Sequence, residues 1–145
     1  MIDAAREFLA ALDLAVFNCG TEKKFKSELD NATNGLMLSL PKTARSWGAA
    51  RKAINLFLRD ALYNRYLAET CLLNSIETWL EIPLDSAVAR GLKKLGTRGE
   101  LPFWPGLKKL SPSISSKFQL FAQDIALKRG LARVHLDIYL WLQER

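Results

Sequence analysis

Apolar residues in this chain recur at steps of three and four and nowhere alternate over a strand-length stretch, which limits the fold more than any other feature. Ile2, Ala5, Phe8, Leu9, Leu12 and Val16 predict an amphipathic helix over 2–18, closing near Gly20. A short helix over 22–31 follows, then a loop from Asn31 to Pro41 with Asn34-Gly35 as its turn signal. Ala50, Ile54, Phe57, Leu58, Ala61, Leu62 and Tyr66 share one face of a long central helix from Ser46 to about Leu67. Residues 70–80 predict another helix, ending before Ile82-Pro83 because proline disfavours helical geometry in the residue before it. A helix from Ser86 to Leu95, an irregular segment from Gly96 to Pro112, and two last helices over 113–129 and 131–143 complete the chain. The expected architecture is an all-α, single-domain bundle spanning 1–145, with six to seven helices.

At 145 residues the chain is long enough to bury one real core and too short for two independent ones. Its apolar runs are broken by charge well short of the roughly 18 residues that a membrane span needs. The N-terminus from Met1 to Glu7 lacks a basic leader with a cleavage site, so the expectation is an untargeted, cytoplasmic protein without a membrane partner. Cys19 and Cys71 lie far apart with no C-x-x-C, so they imply neither a disulfide framework nor a metal or iron–sulfur site. Each is expected to be a buried, reduced thiol. No cofactor is implied.

The net charge of +6 is unevenly placed. Residues 1–31 are slightly acidic. Lys42, Arg45, Arg51, Lys52, Arg59 and Arg65 face only Asp60 between 42 and 65, and Arg90, Lys93, Lys94, Arg98, Lys108 and Lys109 face only Glu100 between 90 and 109. Such blocks suit a phosphate backbone; a solvated surface is the plainer reading. Between the blocks stands Asp85, at the mouth of an apolar helix behind Ile82-Pro83-Leu84. As N-cap it accepts a backbone N–H and sits at the positive end of the helix dipole. Lys52 falls about one turn into the central helix, after the small residues of Ser46-Trp47-Gly48-Ala49-Ala50-Arg51. Its plain reading is a snorkelling surface lysine, and its sharper one a half-buried amine nucleophile.

The ordered pair of motifs, Gly48, Arg51, Lys52 and Ala53 followed by Pro83, Leu84, Asp85, Ser86 and Val88, resembles the helix-hairpin-helix DNA glycosylase superfamily. The Lys52-to-Asp85 spacing is most similar to that of the archaeal 8-oxoguanine glycosylases. The detailed likeness covers roughly residues 44–95, and the tail from Ala132 to Trp141 is similar to the family's closing helix only in a general way. The Leu-Pro-Gly-x-Gly hairpin of the family is absent, and the chain is shorter than typical members. The resemblance implies a glycosylase/lyase acting on damaged duplex DNA, in which a flipped purine enters a pocket between helical layers. Lys52 would attack C1′, and Asp85 would support the oxocarbenium charge and shuttle the proton. Trp47 and Trp79 flank this pair in sequence and are candidates for a purine sandwich, Arg59 on the central helix for a base-edge reader, and Lys42, Arg45, Arg51, Arg90, Lys93 and Lys94 of the basic blocks for contacts along the DNA backbone.

Each of these has a plainer alternative: aromatics at helix ends are usually core. His135, alone among Val134, Leu136 and Ile138, is expected to pack in the core with one hydrogen bond, and Asp137 to pair with a basic helix. Phe103-Trp104 in the proline-rich segment is either a plug over the core or an exposed wedge for nucleic acid. Two other functions fit the same residues. One is a non-catalytic basic helical module that binds nucleic acid; the other is a small helical interaction protein whose partner covers an apolar patch near Phe103-Trp104.

Overall fold

The computed structural model describes residues 2–143; Met1, Glu144 and Arg145, at the ends of the expected 1–145 unit, lie outside the described residues. Within them the structure is a compact all-α fold without strands. α1 (Ile2–Ala11) stops earlier than its apolar spacing predicts, because Asp13 accepts the Ala15 N–H at 2.9 Å and caps a separate 3-10 turn, Leu14–Phe17. α2 (Glu22–Ser39) starts at the Thr21 cap and runs straight through Asn34-Gly35, where a loop was expected. Gly35 is there for close approach: a Cβ would sit 2.9 Å from the Phe8 ring where α1 crosses. Tertiary packing overrides the turn signal of the Asn-Gly pair.

Ser46 caps α3 (Trp47–Tyr63), accepting the Ala49 N–H at 3.2 Å. The central helix is shorter than expected. Asn64 ends it and accepts the Leu67 N–H at 3.0 Å, so α4 (Arg65–Thr70) sets off in a new direction and leaves Tyr66 exposed. Residues 73–79 form a 3-10 helix, not the expected α-helix, entered through Leu72 in the left-handed region (φ 54°). α5 (Ser86–Leu95) and α6 (Pro112–Lys128) lie where the sequence predicts them. The final helix is divided: a 3-10 turn at Arg133–His135 leads into α7 (Leu136–Gln143).

The buried apolar residues form two clusters. The first gathers Phe17, Phe25, Leu29, Leu36, Ile54, Leu58, Leu73 and Ile76 between α1–α4 and the 73–79 turn. The second gathers Ile82, Leu84, Val88, Leu92, Phe118, Ala122, Leu136 and Leu140 between α5, α6 and α7. The chain passes from the first cluster to the second at Leu80–Ile82, returns between Ile125 and Ala132, and crosses again at Val134–Leu136, with Glu81 and His135 at the two short crossings. The first crossing is extended, so its backbone groups need partners from elsewhere. Gln119 supplies two of them, accepting the Ile82 N–H at 3.1 Å and donating to the Ile82 carbonyl at 2.8 Å. Arg133 donates to the carbonyls of Leu80 and Trp79. No helix among the described residues is long and apolar enough to cross a membrane.

Candidate active site

Arg51 and Lys52 are neighbours on α3, and the roughly 100° between successive helical positions sends them to different surroundings. Arg51 points inward and is only 3 % exposed. Its Nε and Nη2 donate to Glu81 at 2.9 and 3.0 Å, its Nη1 donates to Asp30 and Thr33, each at 2.9 Å, and Trp47 covers its guanidinium at 5.4 Å. Asn55 donates a further hydrogen bond to Glu81 at 3.1 Å. This corrects the expectation of Arg51 on a DNA backbone: its donors are occupied inside the protein. Burial alone would raise the Glu81 carboxyl, but Arg51 and Asn55 outweigh it and hold it below the ordinary glutamate range.

Lys52 points into an open cavity of about 460 Å³ between α3, α5 and α7, within the size range of small-molecule sites. Its Nζ lies 3.0 Å from Asp85 Oδ2, so the two residues separated by 33 positions meet as the sequence reading requires. Asp85 performs both of its predicted tasks with different oxygens: Oδ1 accepts the Val88 N–H at 2.9 Å and caps α5, while Oδ2 faces the lysine. The side chains remain 28 % and 21 % exposed, open enough for a ligand to reach. Burial pushes the Asp85 carboxyl up, but the Val88 N–H and Lys52 prevail and hold it below the ordinary aspartate range.

A second carboxylate lines the same cavity. Asp137 on α7 is 4 % exposed; Arg59 of α3 donates to its Oδ2, and its Oδ1 is buried with no hydrogen-bond partner. The pairing with a basic helix matches expectation. Burial drives this carboxyl above the ordinary range, and Arg59 opposes the rise without cancelling it. The cavity thus holds two aspartates displaced in opposite directions, a pattern that separates acid and base roles in catalytic sites. Pro83, Leu56, Val88, Ile138, Trp141 and Leu142 make its apolar wall.

Of the residues expected to bind substrate, only Arg59 lines this cavity. Trp47 lies over Arg51, and Trp79 packs against Phe25 (centroids 6.2 Å apart) in the first cluster, so the expected purine sandwich is not formed. Their place is taken by Trp141, which the sequence reading assigned only to a general closing helix. The signal was present in Asp137-Ile138 and Trp141-Leu142, two pairs four apart and so on one helical face. Gly48 is also structural: a Cβ there would meet the Leu107 carbonyl oxygen at 2.2 Å, so it is packed under a turn and is not available to grip phosphate.

Lys42 is exposed, as are Arg90, Lys93 and Lys94 on α5. Arg45 donates to the carbonyls of Leu40 and Leu38 at 3.1 and 3.0 Å, closing the end of α2. His135 is half-buried, not core; its Nδ1 lies 2.8 Å from the Tyr63 hydroxyl and its Nε2 is bonded to Glu77. Cys19 and Cys71 are free thiols, half-buried where full burial was expected.

The fold and site together define an all-α protein with an amine–carboxylate pair on the wall of an open cavity. Comparison with family models, curated proteins and solved structures gives no match for the chain, so its chemistry is argued from this geometry.

Proposed function

We propose that the protein is a DNA glycosylase with AP-lyase activity, remotely related to the helix-hairpin-helix superfamily, that acts on a flipped damaged purine, 8-oxoguanine first among them. The observation that carries this reading is the 3.0 Å approach of Lys52 Nζ to Asp85 Oδ2 at a cavity able to admit a base. As the C1′–N bond breaks, the base leaves with the electron pair and positive charge develops on the sugar. The ionised Asp85 faces that charge, the type of preorganised electrostatic stabilisation that lowers such barriers most. Asp85 then accepts a proton from Lys52 Nζ and can pass it to the departed base, while the amine forms a bond to C1′. Opening of the sugar ring gives an imine, from which the 3′ phosphate can be eliminated.

The other groups fit a purine. Trp141, on the cavity wall, offers a stacking surface. Borohydride trapping on duplexes with 8-oxoguanine, uracil or an abasic site tests the proposal. A covalent band on at least one duplex, absent with Lys52→Gln, is expected; no band on any duplex removes the lyase step. A base-release assay with the Asp85→Asn protein alongside distinguishes a glycosylase that lacks lyase activity.

A non-catalytic nucleic-acid-binding module is the second reading. It is favoured by one observation: the Lys52–Asp85 pair is by itself a complete tie between α3 and α5. Under it, salt-sensitive DNA binding survives Lys52→Gln with no trapped species in the parent protein.

A further inference from the structure

Among the described residues the Lys52 cavity is not the only recess. A cleft of about 210 Å³ lies between α2 and α6 at the Leu80–Ile82 crossing, walled by Phe25, Leu29, Trp79 and Leu120, with Arg133 and Glu81 also lining it. It shares Lys26, Glu81 and Ser116 with a wider recess of about 510 Å³ that reaches the start of α6. None of these side chains lines the Lys52 cavity.

Arg133 is the group to explain here. Of the described arginines that are buried or half-buried, Arg51 meets Glu81 and Asp30, and Arg59 meets Asp60 and Asp137. Arg133 meets only main-chain carbonyls: its Nε donates to Leu80 at 3.1 Å, its Nη2 to Trp79 at 2.9 Å and its Nη1 to Gln119 at 3.5 Å. Arg45 is bonded to carbonyls in a similar way, but at the surface, where water answers its charge. Carbonyls satisfy single N–H groups without cancelling the charge, and a guanidinium drawn out of water is costly until an anion meets it. Burial accordingly pushes Arg133 below the ordinary arginine range, and the pull of Glu81 and Glu22 does not restore it. Glu81 is already taken, gripped through both oxygens by Arg51 and bonded again by Asn55. Each terminal nitrogen of Arg133 carries two hydrogens and gives one to a carbonyl, so one on each is left for a carboxylate.

We propose that this cleft is a second binding site, which takes a small organic monocarboxylate whose head meets Arg133 and whose apolar body lies against Trp79, Phe25 and Leu120. A cavity of about 150 Å³ holds benzene, so the cleft has room for one ring and a short acid arm. The number of charges is also selected: Glu22 and Glu81 line the same cleft, so a single negative charge suits it and a phosphate dianion is repelled. Lys26, exposed on the rim, offsets Glu22 there. The site stands apart from the lyase chemistry, because Lys52 and Asp85 line a different cavity.

The test is calorimetric titration of the full chain with phenylacetate, with phenylacetamide, which has the same shape without the charge, and with inorganic phosphate. Phenylacetate is expected to bind saturably and the amide to bind weaker by about tenfold or more, the loss expected for a hydrogen bond to a charged group. Phosphate is expected not to compete. Leu120 is 67 % exposed, so Leu120→Glu sets a carboxylate beside the site without emptying the core, and should weaken phenylacetate by about tenfold while leaving the urea midpoint in place. Arg133→Gln should remove the preference for the acid over the amide. Because Arg133 also ties the Trp79 and Leu80 carbonyls, that variant is read only if its urea transition shows it folded, and Leu120→Glu decides otherwise.

Absence of phenylacetate binding at millimolar concentration overturns the proposal, and so does equal affinity for acid and amide. Affinity that Leu120→Glu leaves unchanged does the same, as does phosphate that competes as well as the acid. Lys52→Gln is expected to bind phenylacetate like the parent protein; loss of binding there would assign the acid to the Lys52 cavity instead. Trapping that fails while this binding persists would remove the glycosylase reading and leave the second site standing.

Discussion

Arg51 and Lys52 are adjacent in sequence and opposite in circumstance. Around Arg51 every charge is answered inside the protein: the guanidinium meets Glu81, Asp30 and Thr33, and Glu81 also receives Asn55. Around Lys52 the charges meet one another on the wall of an open cavity, and both side chains of the pair remain partly exposed. The Arg51 nitrogens all donate to protein acceptors, whereas the Lys52–Asp85 pair leaves both charged groups within reach of a ligand. The difference lies in position, since one helical step carries the side chain from the seam between two apolar clusters to the outer wall of the seam. It also shows why basic character alone is a poor guide to nucleic-acid contacts.

The strongest way to break the comparison is to remove each cation in turn. Arg51→Ala leaves Glu81 buried and unpaired, and is expected to cost about 3–5 kcal/mol in denaturant unfolding. Lys52→Met removes one member of a partly exposed pair, and the expected cost is under about 1 kcal/mol. Equal losses at the two positions would mean that the cavity pair is as structural as the buried one.

Acid sharpens the same contrast. The Glu81 carboxyl is held below its ordinary range, so its contribution to stability is complete above the unfolded-state value, about pH 4.3, and is lost as pH falls through the folded value. Asp137 has the opposite sign: its folded carboxyl binds a proton more tightly than the unfolded one, so acidification through its range relieves a cost. Urea midpoints measured from pH 7 downward should therefore fall more steeply with Asp137→Asn than with the parent protein, and less steeply with Glu81→Gln, provided each variant remains folded at pH 7. The next effect in size concerns the Gly48 contact. Gly48→Ala drives a methyl against the Leu107 carbonyl, with an expected loss of about 1–3 kcal/mol. If Gly48 instead served a phosphate, DNA affinity would change and stability would not.

What the sequence made legible follows from what is local. The all-α class, α5, α6 and the Asp85 cap are written in apolar spacing and in the Asp85-Ser86 signal, which acts within one turn. Element ends were misread where a partner from elsewhere decided them, as Phe8 does at Gly35, or where a cap doubled as a start, as Asn64 does. The Lys52–Asp85 meeting is what the resemblance to the glycosylase motifs implies, and no local spacing dictates it for two residues 33 positions apart. The rest of the cavity was not legible: Asp137 and Trp141 reach it only because Leu136 and Leu140 bury α7 against α5, a tertiary fact with no local signal. Trp47 and Trp79 were misplaced for the complementary reason, since closeness in sequence to a site says nothing about which side of the helix a side chain leaves.

The smallest expected effect separates the two jobs of Asp85. Its Oδ1 caps α5 and its Oδ2 faces Lys52, so different substitutions should remove one job or both. Asn is nearly as good a cap as Asp, so Asp85→Asn keeps the hydrogen bond to the Val88 N–H and discards the charge. Asp85→Ala discards both, with an expected further loss of about 1 kcal/mol relative to Asp85→Asn. Trapping should treat the two variants alike, because both lack the carboxylate that faces the sugar and takes the lysine's proton. A graded loss of trapping that tracks thermal stability instead would reduce Asp85 to a cap, and the open side of the molecule would then resemble the closed one.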